Sequence, residues 1–300
     1  MRIATVTLQQ TMRSSMERAQ NALAKTNERL ATEKRANDMA ELGTDGVRTL
    51  SARSMLSAQE AQGKVARELG TKLSLYDANI TTIDTAASEL RTTLVTAVGN
   101  GNTAGVQQAV ENAFAQYRAA LNATSDGKSL FAGGQVETKP FLPETLTDTV
   151  GATTDTAFAG DGTRASTRVA DNVDVTYGVT ASEIGSDMLA AFRTIAEAGT
   201  IGAKPTEDQL TALRTAIGLI DDALPQVRAV NAANGERQQQ VETLAIRADD
   251  RSLLLTAIIS DVEDADYGQL SIDVKLQQQY LEASYSVFAQ ITEMSLTDYL

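Results

Sequence analysis

Residues 73–97 have the sequence LSLYDANITTIDTAASELRTTLVTA, in which apolar residues recur at six alternating steps of three and four between Leu73 and Leu94. This spacing places the apolar residues along one narrow stripe of a helix, and it is typical of a coiled-coil seam. The pattern begins upstream at Val65 and stops at Gly99-Asn100-Gly101, because glycine and asparagine favour a helix-ending loop. The sequence therefore predicts one long helix that packs its stripe against a helical partner.

Both ends of the chain have a similar helical pattern. All four prolines lie between residues 140 and 225, so the strongest helix breaker is absent from either end. Residues 1–35 contain seven basic and three acidic side chains, a net charge of +4, whereas residues 261–300 contain one basic and eight acidic side chains, a net charge of −7. Two narrow apolar stripes on segments of opposite charge are buried most readily against each other, which predicts a terminal coiled-coil pair.

The middle of the chain has a different composition. Residues 138–182 are rich in Thr, Gly, Asp and Val, and the segment Val173–Val179 alternates with the period of a strand. Asp161-Gly162 is a hairpin-type turn pair. These features predict a small β insertion with its turn at Asp161-Gly162.

Helix is predicted to resume after the insertion. Thr206 and Gln209 have capping-box spacing, and the proline-free residues 226–300 predict one helix or two collinear helices. Seventy-five helical residues span roughly 110 Å, whereas a compact chain of this length has a radius of gyration of about 19 Å. The predicted fold is therefore mainly α, an elongated rod of long helices with an N- and C-terminal coiled-coil pair and a small β insertion. The predicted domains are a terminal coiled-coil domain (1–42 with 262–300), a helical rod domain (43–137 with 183–261) and a β-rich outer insertion (138–182).

Composition excludes several classes of function. The 300 residues include no His, Cys or Trp, which removes imidazole acid–base chemistry, thiol nucleophiles and Cys/His zinc sites. The net charge of −13 disfavours nucleic acid as a partner, and no apolar run is long enough to cross a membrane. Gly127-Lys128-Ser129 resembles the end of a phosphate-binding loop but lacks its upstream glycine, so we interpret it as a turn. The acidic residues between Asp261 and Asp266 are interpreted as a solvated surface rather than a calcium site. No catalytic residue, cofactor or metal is predicted.

Five segments, in order along nearly the full length, carry a family resemblance. They are Met1–Thr5 (MRIAT), Glu28–Arg35 (ERLATEKR), Ser125–Gly134 (SDGKSLFAGG), Tyr280–Tyr285 (YLEASY) and Met294–Leu300 (MSLTDYL). Together they resemble the bacterial flagellin superfamily, and most closely its hook-associated branch, whose members form the hook–filament junction. The chain departs from the family pattern at Glu33, where the family usually has glycine.

The resemblance implies a structural component of the bacterial flagellum and not an enzyme. It implies a junction adaptor between the hook-side junction protein and the flagellin filament, which assembles into a ring through its terminal helices. Neither nucleic acid nor a membrane is an expected partner. Export through the flagellar type III system, without a cleaved signal, would deliver the protein outside the cell. Two alternatives stay open: a flagellin filament subunit and, from the helical periodicity alone, a cytosolic coiled-coil scaffold.

Two sets of residues are predicted to carry this function. The first is the apolar stripe of each terminal helix, which is expected to lie in the seam of the pair and to form the assembly interface. It comprises Leu8, Met12, Met16, Leu23, Leu30, Ile272, Leu276, Ala283, Val287 and Met294. The second set lies on the last helix, whose apolar side chains would aggregate if exposed, and the resemblance implies a cytosolic export chaperone that masks them. It comprises Leu276, Tyr280, Leu281, Phe288 and Ile291.

Overall fold

The structure is a computed structural model, which describes the backbone of residues 2–297 and the side-chain surroundings of Thr7 and of residues 10–290. Helices dominate these residues, which confirms the mainly α class. The helices are α1 (Arg2–Thr32), α2 (Thr44–Asn100), α3 (Val106–Leu121), α4 (Thr154–Ala157), α5 (Ala181–Glu197), α6 (Glu207–Glu263) and α7 (Tyr267–Thr297). Two antiparallel hairpins pair β1 (Thr124–Ser125) with β2 (Lys128–Ser129) and β3 (Ala165–Ala170) with β4 (Val173–Tyr177).

Internal contacts divide the chain into two compact units. The first unit comprises Met1–Gln59 with Asp250–Leu300, and the second comprises Glu60–Asp249. Helices α2 and α6 contribute residues to both units. The three-domain division expected from the sequence stays a prediction.

The core of the second unit is built on the stripe of α2. Every stripe position from Leu73 to Leu94 is buried, which confirms the predicted seam. The stripe shares one apolar cluster with buried residues of α3, α5 and α6. Four aromatic rings lie at the centre of this cluster, with centroid separations between 5.2 and 6.4 Å for the neighbouring pairs, which is typical of favourable edge-to-face and tilted packing. These rings belong to Phe114, Tyr117, Phe141 and Phe192.

Polar contacts fix α6 against α2 inside the second unit. Asn234, which is buried, and Gln238 each donate a side-chain amide hydrogen bond of 2.9 Å to the backbone oxygen of Leu73. Ion pairs along the exposed margins add further links between the two helices, because each joins an arginine to an aspartate of the other helix. The pairs are Arg67–Asp249, Arg228–Asp84 and Arg91–Asp221.

Residues 226–297 form two helices, the end of α6 and the whole of α7, rather than one continuous helix. The predicted capping box is present, since the Gln209 backbone donates to the Thr206 hydroxyl at 3.2 Å and the Thr206 backbone donates to the Gln209 side chain at 3.1 Å. Helix α6 then continues through Pro225. Proline removes one backbone donor, but buried neighbours such as Val227 hold the helix in place.

The β insertion contains the expected hairpin, but its turn was predicted wrongly. Strands β3 and β4 are joined through Asp171 and Asn172, and Asn172 has a positive φ of 58°. Asp161 does not close a hairpin. Its carboxylate accepts hydrogen bonds from the backbone of Gly134 at 2.7 Å and of Thr163 at 3.0 Å. The aspartate of the supposed turn pair therefore anchors a different loop.

Candidate assembly surface

Helices α1 and α7 pack against each other in the first unit and run antiparallel. Partway along the pair Gln20 donates a hydrogen bond of 2.5 Å to the Tyr285 hydroxyl, and just beyond the end of α1 the backbone of Ala265 donates to the oxygen of Glu33 at 3.0 Å. The α1 side of the seam consists of half-buried residues at alternating steps of four and three: Met12, Met16, Ala19, Leu23, Thr26 and Leu30. The α7 side has the same spacing and consists of Leu270, Val274, Gln277, Leu281, Ser284 and Phe288. This is the predicted terminal pair.

The predicted stripe is right on α1 and wrong on α7. Met12, Met16, Leu23 and Leu30 lie in the seam, as expected. Ile272 does not, because 54% of it is exposed, and Leu276, Ala283 and Val287 are exposed as well. Helix α7 has two apolar stripes about 120° apart around its axis, and periodicity alone does not say which of them faces α1. The predicted positions Leu8 and Met294 have side chains outside the described residues.

The second stripe of α7 is exposed, and we call it the outer stripe. Its members are Ile272, Leu276, Tyr280, Ala283 and Val287, at steps of four, four, three and four. Tyr280 is 68% exposed. Isolated exposed apolar residues are ordinary, but a row of them along one helix face indicates a surface that binds a partner. Whether these residues form the assembly interface stays a prediction.

The predicted chaperone-binding residues do not share one face in the folded chain. Leu276 and Tyr280 lie on the outer stripe. Leu281 is only 6% exposed, because it packs in the seam against α1, and Phe288 is half-buried there. The side chain of Ile291 lies outside the described residues.

Sequence reasoning missed a second group of exposed apolar residues in the first unit, which we call the stem residues. They lie at the start of α2 and near the end of α6: Val47, Leu50, Met55, Leu253, Leu254 and Ile258. Their signal in the sequence was the run of consecutive leucines at 253–255, which is wider than a single heptad stripe. A stripe wider than one seam requires a second contact surface to bury it.

The structure shows how α1 ends. The helix stops at Thr32, and Glu33 has a positive φ of 56°, a left-handed conformation that glycine adopts more easily. The chain then folds back along α1, because Glu41 accepts hydrogen bonds from Lys25 at 2.5 Å and from the backbone of Asn37 at 3.2 Å. The hydrogen bond from Lys25 is the main reason why the pKa of Glu41 lies below its usual value.

The acidic segment near residue 264 is not the fully solvated surface that the sequence predicted. Glu263 is buried and paired with Arg53, and Asp264 is paired with Lys34 at 2.5 Å. The described residues contain no cluster of three or more acidic side chains that could hold a metal ion. Asp126 and Gly127, both with positive φ, form the β1–β2 turn, and Lys128 begins β2, which confirms the turn interpretation. Within the described residues, no helix has the length and apolar character needed to span a membrane.

Known proteins resemble both the sequence and the fold. Residues 217–300, which include all of α7, match the sequence model of the bacterial flagellin C-terminal helical region. The chain is 24% identical to flagellar hook-associated protein 3 of Escherichia coli over 270 residues, covering 81% of this chain and 82% of that protein. It is also 24% identical to flagellar hook-associated protein 3 of Salmonella typhimurium over 319 aligned positions, covering 99% and 98%.

The chain thus resembles flagellins over its C-terminal region and flagellar hook-associated proteins over most of its length. Two solved structures share the fold of this chain. A Vibrio parahaemolyticus chain described as a flagellar hook-associated protein has a TM-score of 0.59 at 17% identity and covers 75% of this chain and 98% of its own. FlgL of Bacillus cereus has a TM-score of 0.58 at 13% identity and covers 70% and 98%. The predicted resemblance to the flagellin superfamily and its hook-associated branch is confirmed.

Proposed function

We propose that this protein is a non-enzymatic junction adaptor of the bacterial flagellum, placed between the hook-side junction protein and the flagellin filament. Two sequence relatives that align with more than four-fifths of the chain are hook-associated proteins, which supports the junction over the filament itself. The structural observation that carries the proposal is the outer stripe of α7, an exposed apolar row along one face of the helix.

The geometry suits assembly through the terminal helices. Helix α7 uses one stripe to bind α1 and keeps the outer stripe for a neighbouring subunit, so the helix pair can form before its lattice contacts. The stem residues would add apolar contacts with neighbours in a ring of copies of this chain. The hook-side junction protein would contact one side of this ring and flagellin the other.

The same surface supports the proposal that a chaperone binds the chain before export. An unpaired α7 would present both its seam and its outer stripe, including Leu276, Tyr280, Leu281, Phe288 and Ile291, to the cytosol. A groove that binds an amphipathic helix would cover these side chains. Chaperone binding and pairing with α1 would then be mutually exclusive. Export would follow through the flagellar type III system without a cleaved signal, and the protein would act outside the cell.

Deletion of the gene tests the role against its alternatives. Cells that lack the chain should make hooks without filaments and release flagellin into the medium, because the filament has no adaptor on which to grow. Re-expression should restore filaments. If the deletion strain forms normal filaments, the proposed role is wrong. If it secretes no flagellin, and thousands of copies of this chain are present in each wild-type filament, the protein is a flagellin.

A further inference from the structure

The chain passes twice between the α1/α7 pair and the rest of the first unit, and the two crossings lie against each other. One crossing follows α1 at residues 33–35, and the other is the break between α6 and α7. The backbone of Ala265 donates to the oxygen of Glu33 at 3.0 Å, and the backbone of Arg35 donates to the oxygen of Glu263 at 2.7 Å. Lys34 and Asp264 face each other between these two bonds as an antiparallel bridge.

The side chain of Glu263 ties a third segment to this bridge. Glu263 is 6% exposed, and Arg53 on α2 donates to both of its carboxylate oxygens, from Nε to Oε1 at 2.9 Å and from Nη2 to Oε2 at 2.6 Å. Lys34 Nζ lies 4.0 Å from Oε2 and 2.5 Å from Asp264 Oδ1. Asp264 also accepts a hydrogen bond from Ser260. One buried carboxylate therefore joins α2, the end of α6 and the segment that follows α1.

We propose that Glu263 and Arg53 form a latch that holds the two crossings together and so fixes the direction in which the α1/α7 pair leaves the α2 and α6 segments of the first unit. Without the latch, each crossing is a separate joint. The break between α6 and α7 is only three residues long, 264–266, and the segment after α1 contains Gly43 with a positive φ. Because the latch keeps the two crossings in contact, they cannot bend independently, and the helix pair keeps a single orientation. Its role in positioning the pair for assembly rests on the proposed function.

The chemistry of the pair explains why it acts as a latch. A buried carboxylate is stable only while its cationic partner is present, since loss of the partner leaves an uncompensated charge. The fork of the Arg53 guanidinium matches the two oxygens of Glu263, a geometry that lysine does not reproduce. The pairing holds the end of α6 against α2, and the Glu263 backbone oxygen accepts from Arg35, so loss of the pairing would loosen both crossings.

Engineered cysteines test the latch on the purified full-length chain, which has no cysteine of its own. Lys34 and Asp264 occupy a non-hydrogen-bonded antiparallel pair, where Cα atoms are about 4.5 Å apart, a distance that a disulfide spans. The Lys34→Cys and Asp264→Cys pair should oxidise quickly to a cross-linked chain with altered mobility on a non-reducing gel. Adding Glu263→Gln should slow this reaction by roughly tenfold, because the freed crossings separate.

Two controls separate a latch from general damage. Asp249→Asn removes the same charge from an exposed ion pair with Arg67 and should leave the oxidation rate unchanged. Exchange of the two partners, Arg53→Glu with Glu263→Arg, should restore most of the rate that Glu263→Gln loses, and circular dichroism should show unchanged helix content throughout. An unchanged rate in Glu263→Gln, or no recovery in the exchanged pair, would overturn the latch.

The same cysteine pair tests the positioning role in cells. A chain locked by oxidation after export should still support filaments, since the disulfide keeps the orientation that the latch sets. If oxidised chains fail to assemble while reduced ones succeed, the latched orientation is not the one used in assembly. The oxidation rates do not depend on any flagellar role, so a deletion strain with normal filaments would refute the proposed function and leave the latch standing.

Discussion

Leu276 and Leu281 lie on different sides of helix α7, the first 44% exposed on the outer stripe and the second 6% exposed in the seam with α1. Five residues of an α-helix correspond to a rotation of about 140° from one side chain to the other. The two leucines therefore separate the contact within the chain from the surface that is proposed to contact its neighbours. They also offer a matched pair of substitutions.

Replacing each leucine with aspartate should have different effects. Leu281→Asp would place an unpaired carboxylate in the seam, at a cost of at least about 2 kcal/mol, and should open the α1/α7 pair. Leu276→Asp should leave the pair intact and still prevent filament growth. Protection of the α7 amides from hydrogen exchange shows whether the α1/α7 pair is formed. It is measured in isolated hook–filament junctions or, where no junction forms, in the purified chain. Filament counts in a complemented deletion strain report assembly. Normal filaments with Leu276→Asp would contradict the proposed role of the outer stripe.

A glycine in the second unit should be intolerant of any side chain. Tyr117 donates a hydrogen bond of 2.8 Å to the oxygen of Gly185, and a Cβ at Gly185 would lie 2.4 Å from the Tyr117 hydroxyl. Gly185→Ala should lower the free energy of unfolding by about 1–3 kcal/mol, the usual cost of overpacking a core. Gly218→Ala, in α6 with open space around it, should instead raise it by about 1 kcal/mol. Urea unfolding measures both. If both substitutions change the free energy of unfolding by the same amount, the close approach of Tyr117 is not what makes Gly185 intolerant of a side chain.

The left-handed residue that follows α1 predicts a stabilising substitution. A non-glycine residue in this conformation is strained by roughly 1–2 kcal/mol, so Glu33→Gly should slow hydrogen exchange near the end of α1. Glu28→Gly, an exposed position inside the same helix, should have the opposite effect and cost about 1 kcal/mol. Faster exchange in Glu33→Gly would indicate that the carboxylate of Glu33 stabilises the end of α1 by more than the backbone strain destabilises it.

Asp161 should contribute to stability in a pH-dependent way. Hydrogen bonds from the backbone of Gly134 and then of Thr163 hold the pKa of Asp161 below its usual value of 3.8. Because the folded-state pKa is lowered, the contribution is present above about pH 3.8 and is lost as the pH falls through the folded-state value.

The matched test compares Asp161→Ala with the exposed control Asp187→Ala. Asp161→Ala should be less stable than wild type at pH 7, and this difference should shrink at pH 3. The control should differ little at either pH. Urea unfolding at both pH values gives the comparison, and a difference that grows in acid would refute the assignment.

The sequence predicted those parts of the fold in which one stripe has one possible partner. The alternating steps from Leu73 to Leu94 identified a seam that is buried throughout, and the capping box at Thr206 and Gln209 marked the start of α6. These features are local and repeat at a helical period, so they can be recognised without knowledge of tertiary contacts.

The parts that the sequence did not predict depend on tertiary contacts. The choice between the two stripes of α7 is made by packing against α1, which buries Leu281 and leaves Leu276 exposed. Asp161 looked like a turn residue because an aspartate carboxylate readily accepts hydrogen bonds from backbone amides. The sequence does not show whether that amide belongs to its own turn or to a distant residue such as Gly134. Glu263 looked solvated because its partner, Arg53, is 210 residues away in the chain.

Labelling of the protein on intact flagella tests the central claim most directly. An antibody or gold probe against this chain, applied to isolated flagella and viewed by electron microscopy, should mark one narrow band where the hook meets the filament. Counting should give a number of copies consistent with about one ring for each flagellum. Label along the whole filament would identify a flagellin instead, and label confined to the cytoplasm of motile cells would contradict the junction role altogether.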